Sequence, residues 1–209
     1  MPSPVPRPEV VLLAAGWSRR MEGADKRLLP WRGQPMVRHA AGLYCALGLP
    51  VVVVGRAEDT ALSQALEGLD IRLVANPDGQ SEQGASARVG LAACGLDEDG
   101  VMIALADQPL LRSEDIAALL DLFAARRDNV IIPRHDGVRG HPLILPADLA
   151  RALVRAPMEI SPRVWIERHK ARIYWHEAEH SRFTSDMDTP QDRASLLRDE
   201  SASDTQPDG

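Results

Sequence analysis

Short apolar runs alternate along the chain with amphipathic stretches, and this alternation predicts strands and helices in turn. The runs that begin near residues 10, 51 and 101 are almost continuously apolar, as in strands that are covered on both faces. A glycine turn in PRHDGVRGHPLIL predicts a hairpin late in the chain. The predicted strands are VVLLAA (10–15), VVVV (51–54), IRLVA (71–75), VMIALA (101–106), NVIIP (129–133) and ARIYW (171–175).

The amphipathic stretches predict helices at about 35–48, 59–68, 84–94, 113–127, 146–154 and 190–199. Ser113 and Thr189 are predicted N-caps, and Pro190 with Asp192 completes a capping box in which Asp takes the role of Glu. The repeated succession of strand and helix predicts an α/β fold, a Rossmann-like three-layer sandwich with a mostly parallel sheet. Ligands of such folds bind outside the carboxyl ends of the strands, so the chemistry is expected directly after each strand.

Length and composition indicate one domain without membrane or nucleic-acid function. In the 209-residue chain, we expect a domain over 9–199 between flexible tails at 1–8 and 200–209. The net charge of −6 disfavours nucleic acid or an anionic membrane as the main partner. Cys45 and Cys94 have no zinc-type spacing. The start resembles no signal peptide, and no apolar run approaches the ~20 residues that span a bilayer, so a cytoplasmic location is expected.

The segment after the first predicted strand, GWSRRMEGADKRLLPW, combines glycines with positive charge. Gly16 and Gly23 permit tight turns whose free backbone amides can hold phosphate oxygens. Five Lys and Arg residues against Glu22 and Asp25 give residues 16–32 a balance of +3. The segment is neither a Walker loop nor a Gly-x-Gly-x-x-Gly dinucleotide fingerprint. Polyphosphate binding is expected here, and the alternative is a solvated basic loop that only turns the chain.

Two acidic segments are candidates for a metal site. Asp107 directly follows a buried strand and precedes a Gln-Pro turn, which suits a hard cation, although Asp107 alone could simply begin the turn. Asp188 precedes the last predicted helix, and Asp186 lies two residues earlier on the same side of an extended segment. The alternative for Asp188 is a residue that only favours the helix dipole.

Two further segments carry weaker signals. In NPDGQSEQGASAR, Asn76 begins a turn, and a helix opens around Gly84 and Ser86 with amides that can receive a phosphate or a base edge. Alternatively, Ser86 only caps that helix. His141, in the predicted hairpin, is a candidate for contact with a second substrate, or a structural turn residue.

The segment LLAAGWSRRMEGADKRLLPWRGQPM resembles the signature of the nucleotidyltransferases that build molybdenum-cofactor dinucleotides, roughly L-A-[AG]-G-x-S-x-R-M-G…K-x-L-L. The segments ADQP, GVRGHP and SDMDTPQD are similar to further elements of that family, and the resemblance covers about 9–150 and 186–192. It implies transfer of a nucleotidyl group from CTP, or GTP, to the phosphate of molybdopterin with Mg²⁺, and a molybdoenzyme as a possible client.

The resemblance also implies roles for particular residues. Arg20 and Lys26 would neutralise the triphosphate in catalysis, and Asp107 with Asp188 would hold Mg²⁺. His141 and Asp186 are expected on the acceptor side. The residues expected to bind the nucleotide are Leu13, Ala14, Ala15, Gly16, Ser18, Arg20, Lys26, Asn76, Gly84 and Ser86.

Departures from the family pattern keep several alternatives open. Ala15 favours the cytidylyl members, whereas the spacing from Met21 to Lys26 matches the guanylyl members. The family's GDxGAR stretch is absent and APMEISPRVWIE stands in its place, which leaves the acceptor open. The alternatives are a guanylyltransferase, a transferase for another phosphorylated acceptor such as a sugar phosphate, and a non-catalytic carrier of the cofactor. An NAD(P)-dependent oxidoreductase is disfavoured by the missing fingerprint.

Overall fold

A mostly parallel sheet of eight strands forms the middle layer of the protein. The computed structural model describes residues 6–16, 25–77, 83–96, 99–189, 191–192 and 194–195. Two further strands, β2 and β3, form a separate small hairpin. The strands are β1 (Glu9–Leu13), β2 (Pro30–Trp31), β3 (Gln34–Pro35), β4 (Val51–Arg56), β5 (Arg72–Asn76), β6 (Val101–Leu105), β7 (Val130–His135), β8 (Val138–Arg139), β9 (Leu143–Leu145) and β10 (Ile173–Glu177).

Six α-helices are present in the described part of the chain. They are α1 (Met36–Ala46), α2 (Thr60–Ala65), α3 (Gln83–Ala93), α4 (Ser113–Ala125), α5 (Ala147–Arg155) and α6 (Pro162–Arg168). Among the described residues, no helix is both long and apolar enough to cross a bilayer.

The order of the strands places a topological switch point at β1. The sheet runs β10-β7-β9-β6-β1-β4-β5, with β8 paired to β7. The strands β6, β1, β4 and β5 are parallel, and β9 is antiparallel to its neighbours β6 and β7. The chain first proceeds from β1 through β4 to β5 and then returns to β6 on the other side of β1. A crevice therefore opens between the carboxyl ends of β1 and β6, where open α/β sheets bind ligands.

Two hydrophobic cores lie on opposite faces of the sheet, because successive strand side chains point to opposite faces. Val10 and Leu12 face the core formed with α1, α2 and α4. Val11 faces the core formed with α3, α5 and α6. This arrangement confirms the predicted three-layer α/β sandwich with a mostly parallel sheet.

The ends of the described elements differ from the predicted ends by no more than three residues. The predicted N-cap Ser113 is wrong by one position: the cap is Arg112, whose amide donates to Asp115 Oδ2 at 2.9 Å. The capping box at Thr189 is confirmed, because Thr189 N donates to Asp192 Oδ2 at 2.8 Å and Asp192 N donates to Thr189 Oγ1 at 3.1 Å. Most of the predicted helix at 190–199 lies outside the described residues.

The short helix α6 was not predicted from the sequence. Its signal is local: Ser161 caps it by accepting from Val164 N at 3.3 Å, and Pro162 occupies the first position. Seven residues are too few for a clear apolar period. The division into a domain with two tails stays a prediction, and Pro6 and Pro8, at the edge of the first predicted tail, are buried.

We predict that Gly90→Ala destabilises the protein by about 1–3 kcal/mol through overpacking. A Cβ at Gly90 would lie 2.2 Å from Val11 Cγ1 and 2.9 Å from Val54 Cγ2, both buried branched side chains of the sheet. Gly42→Ala is the matched control, since Gly42 is also helical and a Cβ there meets nothing within 4 Å. The control is expected to be neutral or stabilising by up to about 1 kcal/mol. Urea unfolding of both variants checks this, and equal midpoints would contradict it.

Candidate functional site

A cleft of about 340 Å³ lies at the switch point between β1 and β6. It is lined by Leu13, Ala14, Ala15, Gly16, Lys26, Arg27, Gln83, Ser86, Leu105, Ala106, Asp107, Arg139, His141, Asp186 and Asp188. Residues from both ends of the chain therefore meet where the fold predicts a ligand.

The central contact of the cleft is a lysine held between two carboxylates. Lys26 Nζ donates to Asp107 Oδ2 at 2.5 Å and to Asp188 Oδ1 at 2.7 Å. The Lys26 side chain is 12% exposed and that of Asp107 is 20% exposed, whereas Asp188 is 45% exposed. Burial lowers the pKa of Lys26, but the two carboxylates outweigh it, and its pKa lies above the ordinary value. Lys26 is therefore a permanent cation at the centre of the cleft.

Met187 explains how Asp188 reaches Asp107 from 81 residues away in the chain. The Met187 amide donates to the Asp107 carbonyl at 2.9 Å, and the Met187 side chain is buried with Trp31 and Met36. Side chains alternate in direction along an extended segment, so burial of Met187 turns its neighbours the other way, into the cleft. Asp186 and Asp188 accordingly line the cleft together.

An ion pair anchors the residues that lead into this segment. Arg182 donates to Asp115 Oδ1 at 2.6 Å and to Asp115 Oδ2 at 2.8 Å, and Asp115 is 3% exposed. Such a bidentate pair fixes the turn Ser181–Thr184 against the start of α4.

Gln108 determines the position of Asp186. Its side-chain amide nitrogen donates to Asp186 Oδ1 and to the Phe183 carbonyl, each at 2.8 Å, and Gln108 is buried. Burial, together with the charge of Asp107, raises the pKa of Asp186 to about 6. Asp186 thus lies in the cleft beside the carboxylate pair that holds Lys26.

Two arginines hold the carbonyl side of the segment Ala14–Gly16. Arg27 Nη1 donates to the Ala14 carbonyl at 2.7 Å, and Arg56 donates to the carbonyls of Ala15 at 3.3 Å and Gly16 at 2.7 Å. The amides of Ala15 and Gly16 donate to no residue that the structure describes. Ala15 and Gly16 line the cleft, so their unused amides are candidate donors to an anion, as in backbone nests.

Arg27 is a structural residue, although its position in the basic segment suggested phosphate binding. Its guanidinium is 3% exposed and bonds Asp25 at 2.5 Å and Asp59 at 2.6 Å. Asp59 also caps α2 by accepting from Leu62 N at 3.1 Å. Arg27 therefore connects the loop after β1 to α2.

The three residues predicted around α3 have different surroundings. Asn76 is buried and its amide donates to Ser86 Oγ at 3.0 Å, so it orients Ser86, which lines the cleft. Gly84 lines an adjoining cavity, and a Cβ there would lie 3.3 Å from Pro162. The roles of all three in nucleotide binding stay predictions.

His141 lies at the boundary between the cleft and this adjoining cavity. Burial, with a contribution from Arg139, lowers the pKa of His141 to about 4. His141 is consequently neutral at pH 7 and adds no charge to the site. Ser18 and Arg20 lie outside the described residues.

Three polar residues of the site were missed by the sequence analysis. Gln83 and Arg139 line the cleft, and Gln108 supports it. Gln108 directly follows Asp107, and Arg139 lies two residues before His141, both of which were singled out. No spacing rule, however, separates a side chain that faces the cleft from one that does not.

The fold is shared with solved nucleotidyltransferases. A nucleotidyl transferase from Methanothermobacter thermautotroptrophicus superposes with a TM-score of 0.75 at 23% identity, over 93% of this chain and 98% of that one. A manganese complex of a Mycobacterium tuberculosis H37Rv protein superposes with a TM-score of 0.67 at 24% identity, over 92% and 98%. The chain belongs to the MobA-like NTP transferase family, whose model matches residues 10–173.

Relatives that are similar in sequence are named for different activities. A molybdenum cofactor guanylyltransferase from Pseudomonas fluorescens is 33% identical over 170 residues, 77% of this chain and 79% of that protein. The molybdenum cofactor cytidylyltransferase of Escherichia coli is 25% identical over 189 residues, 88% and 92%. A nicotine blue oxidoreductase from Paenarthrobacter nicotinovorans is 33% identical over 150 residues, 68% and 72%.

We predict that Arg56→Met raises the KM for the nucleoside triphosphate by on the order of tenfold, because the Ala15 and Gly16 amides lose their fixed direction. Arg56→Lys is expected to recover part of the loss, since one ammonium can reach one of the two carbonyls.

Arg38→Met is the matched control, because Arg38 also donates to two carbonyls, those of Ala65 at 3.1 Å and Glu67 at 2.7 Å, and does not line the cleft. Steady-state kinetics with each substrate varied separately check the prediction. Similar KM values for the Arg56 and Arg38 variants would rule out a positioning role for Arg56.

Proposed function

We propose that this nucleotidyltransferase transfers CMP from CTP to the terminal phosphate of molybdopterin, or of the molybdenum cofactor, and releases pyrophosphate in a reaction that needs Mg²⁺. The observation that carries the proposal is the cation Lys26 between Asp107 and Asp188, beside the unused amides of Ala15 and Gly16. Positive and hydrogen-bond-donating groups thus adjoin carboxylates that suit a metal, as phosphoryl-transfer sites require.

The donor set fits a hard divalent cation. Asp107 Oδ1 is buried and has no hydrogen-bond partner among the described residues, so one carboxylate oxygen is left for a ligand. In the described parts of the chain, no group of three His, Cys, Asp or Glu residues suffices to hold a metal alone. Mg²⁺ typically takes one or two carboxylates and completes its octahedron with substrate phosphates and water. When bound by Asp107 and Asp188, it would neutralise phosphate charge.

The chain's own residues account for the remaining chemistry. An oxygen of the acceptor phosphate forms a bond to the α-phosphorus of CTP, and the bond from the α-phosphorus to the β-phosphate oxygen breaks. The second pKa of a phosphate monoester is about 6, so the attacking oxygen is already anionic at pH 7 and needs no general base. Lys26 and the amides of Ala15 and Gly16 offset the charge of the triphosphate and orient it.

One residue, Ala15, favours CTP over GTP as the nucleotide donor. Ala15, which lines the cleft, is the residue typical of the cytidylyl members, while the spacing between Met21 and Lys26 is that of the guanylyl members. Both activities occur among the named relatives. GTP is therefore the second candidate donor, and pyrophosphate release with each triphosphate separates the two.

Two other functions remain as alternatives with simple tests. A carrier of the molybdenum cofactor would bind molybdopterin tightly and release no pyrophosphate. The Paenarthrobacter nicotinovorans relative is named an oxidoreductase, and the corresponding activity would appear as oxidation of NADH or NADPH. The acidic pair around Lys26 favours transfer over both, because neither binding alone nor hydride transfer requires it.

We predict that Asp107→Asn lowers pyrophosphate release by on the order of 10³-fold, as expected when a group that stabilises transition-state charge is removed. Asp99→Asn is the control, since Asp99 pairs with Arg127 and lines neither the cleft nor its neighbouring cavity. Circular dichroism verifies that both variants fold. A folded Asp107→Asn protein with near-normal turnover would refute the assignment of the metal site.

A further inference from the structure

The ammonium group of Lys26 already engages the two carboxylates that are proposed to bind a metal. Its Nζ donates to Asp107 Oδ2 at 2.5 Å and to Asp188 Oδ1 at 2.7 Å, and both contacts are short, charge-assisted hydrogen bonds. The Lys26 side chain is 12% exposed, so it is surrounded mainly by protein. A cation that binds both carboxylates therefore needs oxygens that this side chain holds.

An ammonium group opposes a metal ion at such a place for two reasons. It carries three N–H donors and no acceptor, so it cannot act as a ligand. It also stays charged, because burial lowers the pKa of Lys26 but the two carboxylates raise it above the ordinary value. Positive charges in a partly buried space repel each other strongly. A divalent cation and the Lys26 ammonium thus compete for the same partners.

One carboxylate oxygen lies outside these contacts. Asp107 Oδ1 is buried and has no hydrogen-bond partner in the part of the chain that the structure describes. A metal held by this oxygen alone would leave both Lys26 contacts in place. Because Oδ1 and Oδ2 belong to one carboxyl group, however, a divalent cation at Oδ1 would still lie within a few ångströms of the ammonium and repel it.

The position of Lys26 lets its side chain move while its backbone stays fixed. The 3₁₀ turn Lys26–Leu28 is capped by Asp25, whose side chain accepts from Arg27 N at 3.2 Å. The four-carbon stem of a lysine is flexible, so the ammonium can reach different partners from one backbone position. Lys26 lines the cleft together with the unused amides after β1. A triphosphate held by those amides would offer the ammonium new oxygens.

We propose that Lys26 competes with the divalent cation for Asp107 and Asp188, so that the cation binds tightly only when a triphosphate provides the ammonium with other partners. The proposal rests on the proposed function for the metal and the nucleotide, and it adds a regulation of that site. Without nucleotide, Lys26 holds the two carboxylates together and keeps metal affinity low. With nucleotide, its charge is transferred to the triphosphate.

The two lysines of the chain, Lys26 and Lys170, allow a test in the unmodified protein. Lysine that is labelled with ¹³C at Cε gives two NMR signals from the full chain, and Lys170→Met identifies the signal of Lys26. Titration with Mg²⁺ alone is expected to shift and narrow the Lys26 signal, because a displaced ammonium moves freely. The Lys170 signal should not change, since Lys170 is exposed and lines neither the cleft nor the adjoining cavity.

Removal of the ammonium tests the competition from the other side. Lys26→Met keeps most of the apolar stem and removes the charge, and it is expected to bind Mn²⁺ without nucleotide on the order of 10- to 100-fold more tightly than wild type. Lys26→Arg keeps a cation and should bind Mn²⁺ as weakly as wild type does. Lys170→Met is the matched control and should also bind as wild type. Calorimetry with the full chain measures all four proteins.

Thermal unfolding gives a second readout that requires no turnover. In EDTA, Lys26→Met is expected to melt below wild type, because Asp107 and Asp188 lose the cation between them. Added Mn²⁺ is expected to raise the Tm of Lys26→Met by more than it raises the Tm of wild type, since tighter binding to the folded state stabilises it more.

The outcomes separate this proposal from the proposed function. Equal or weaker Mn²⁺ binding by Lys26→Met, or a Lys26 signal that stays broad when wild type is saturated with Mg²⁺, would overturn the competition. Nucleotide transfer by wild type together with either result would refute the competition alone. Tighter Mn²⁺ binding by Lys26→Met, with a wild type that releases no pyrophosphate from any triphosphate, would support the competition and refute the proposed function.

Discussion

The ammonium group of Lys26, held between Asp107 and Asp188, is the interaction on which the arrangement of the cleft depends. Asp107, Asp186 and Asp188 come together in a partly buried space, where like charges repel strongly. Lys26 offsets that repulsion for two of them, whereas burial, followed by the charge of Asp107, raises the pKa of the third, Asp186. The contact also joins the loop after β1, the end of β6 and the segment 186–188, which are far apart in the chain.

The basic residues after β1 divide into structural and functional members according to what surrounds them. Arg27 is enclosed by Asp25 and Asp59 and holds the Ala14 carbonyl, so two carboxylates already offset its charge. Lys26, the adjacent residue, points into the cleft. Neighbouring residues with the same charge thus have different partners: Arg27 fixes the backbone, and Lys26 bonds the two carboxylates of the cleft. A count of local charge describes both equally and cannot separate them.

The layers, the strands and the position of the cleft were predictable, because they depend on local periodicity and on the rule that parallel strands bind ligands at their carboxyl ends. The position of Asp107 at the cleft was predictable for the same reason, whereas that of Asp188 depended on the resemblance to a family motif. Arg139, Gln108 and α6 were not, since their roles depend on which side chains meet across the fold. Arg139 stands in a hairpin whose sequence does not tell which residues it will meet, and the fold places it in the lining of the cleft.

The fate of the α-phosphorus tests the proposed nucleotidyl transfer directly. CTP or GTP labelled at the α-phosphate is incubated with the protein, molybdopterin and Mg²⁺, with and without EDTA, and the label in molybdopterin is measured. Metal-dependent transfer of the label from CTP is expected, with one pyrophosphate released per transfer. Tight molybdopterin binding without transfer from either nucleotide would contradict the proposed reaction.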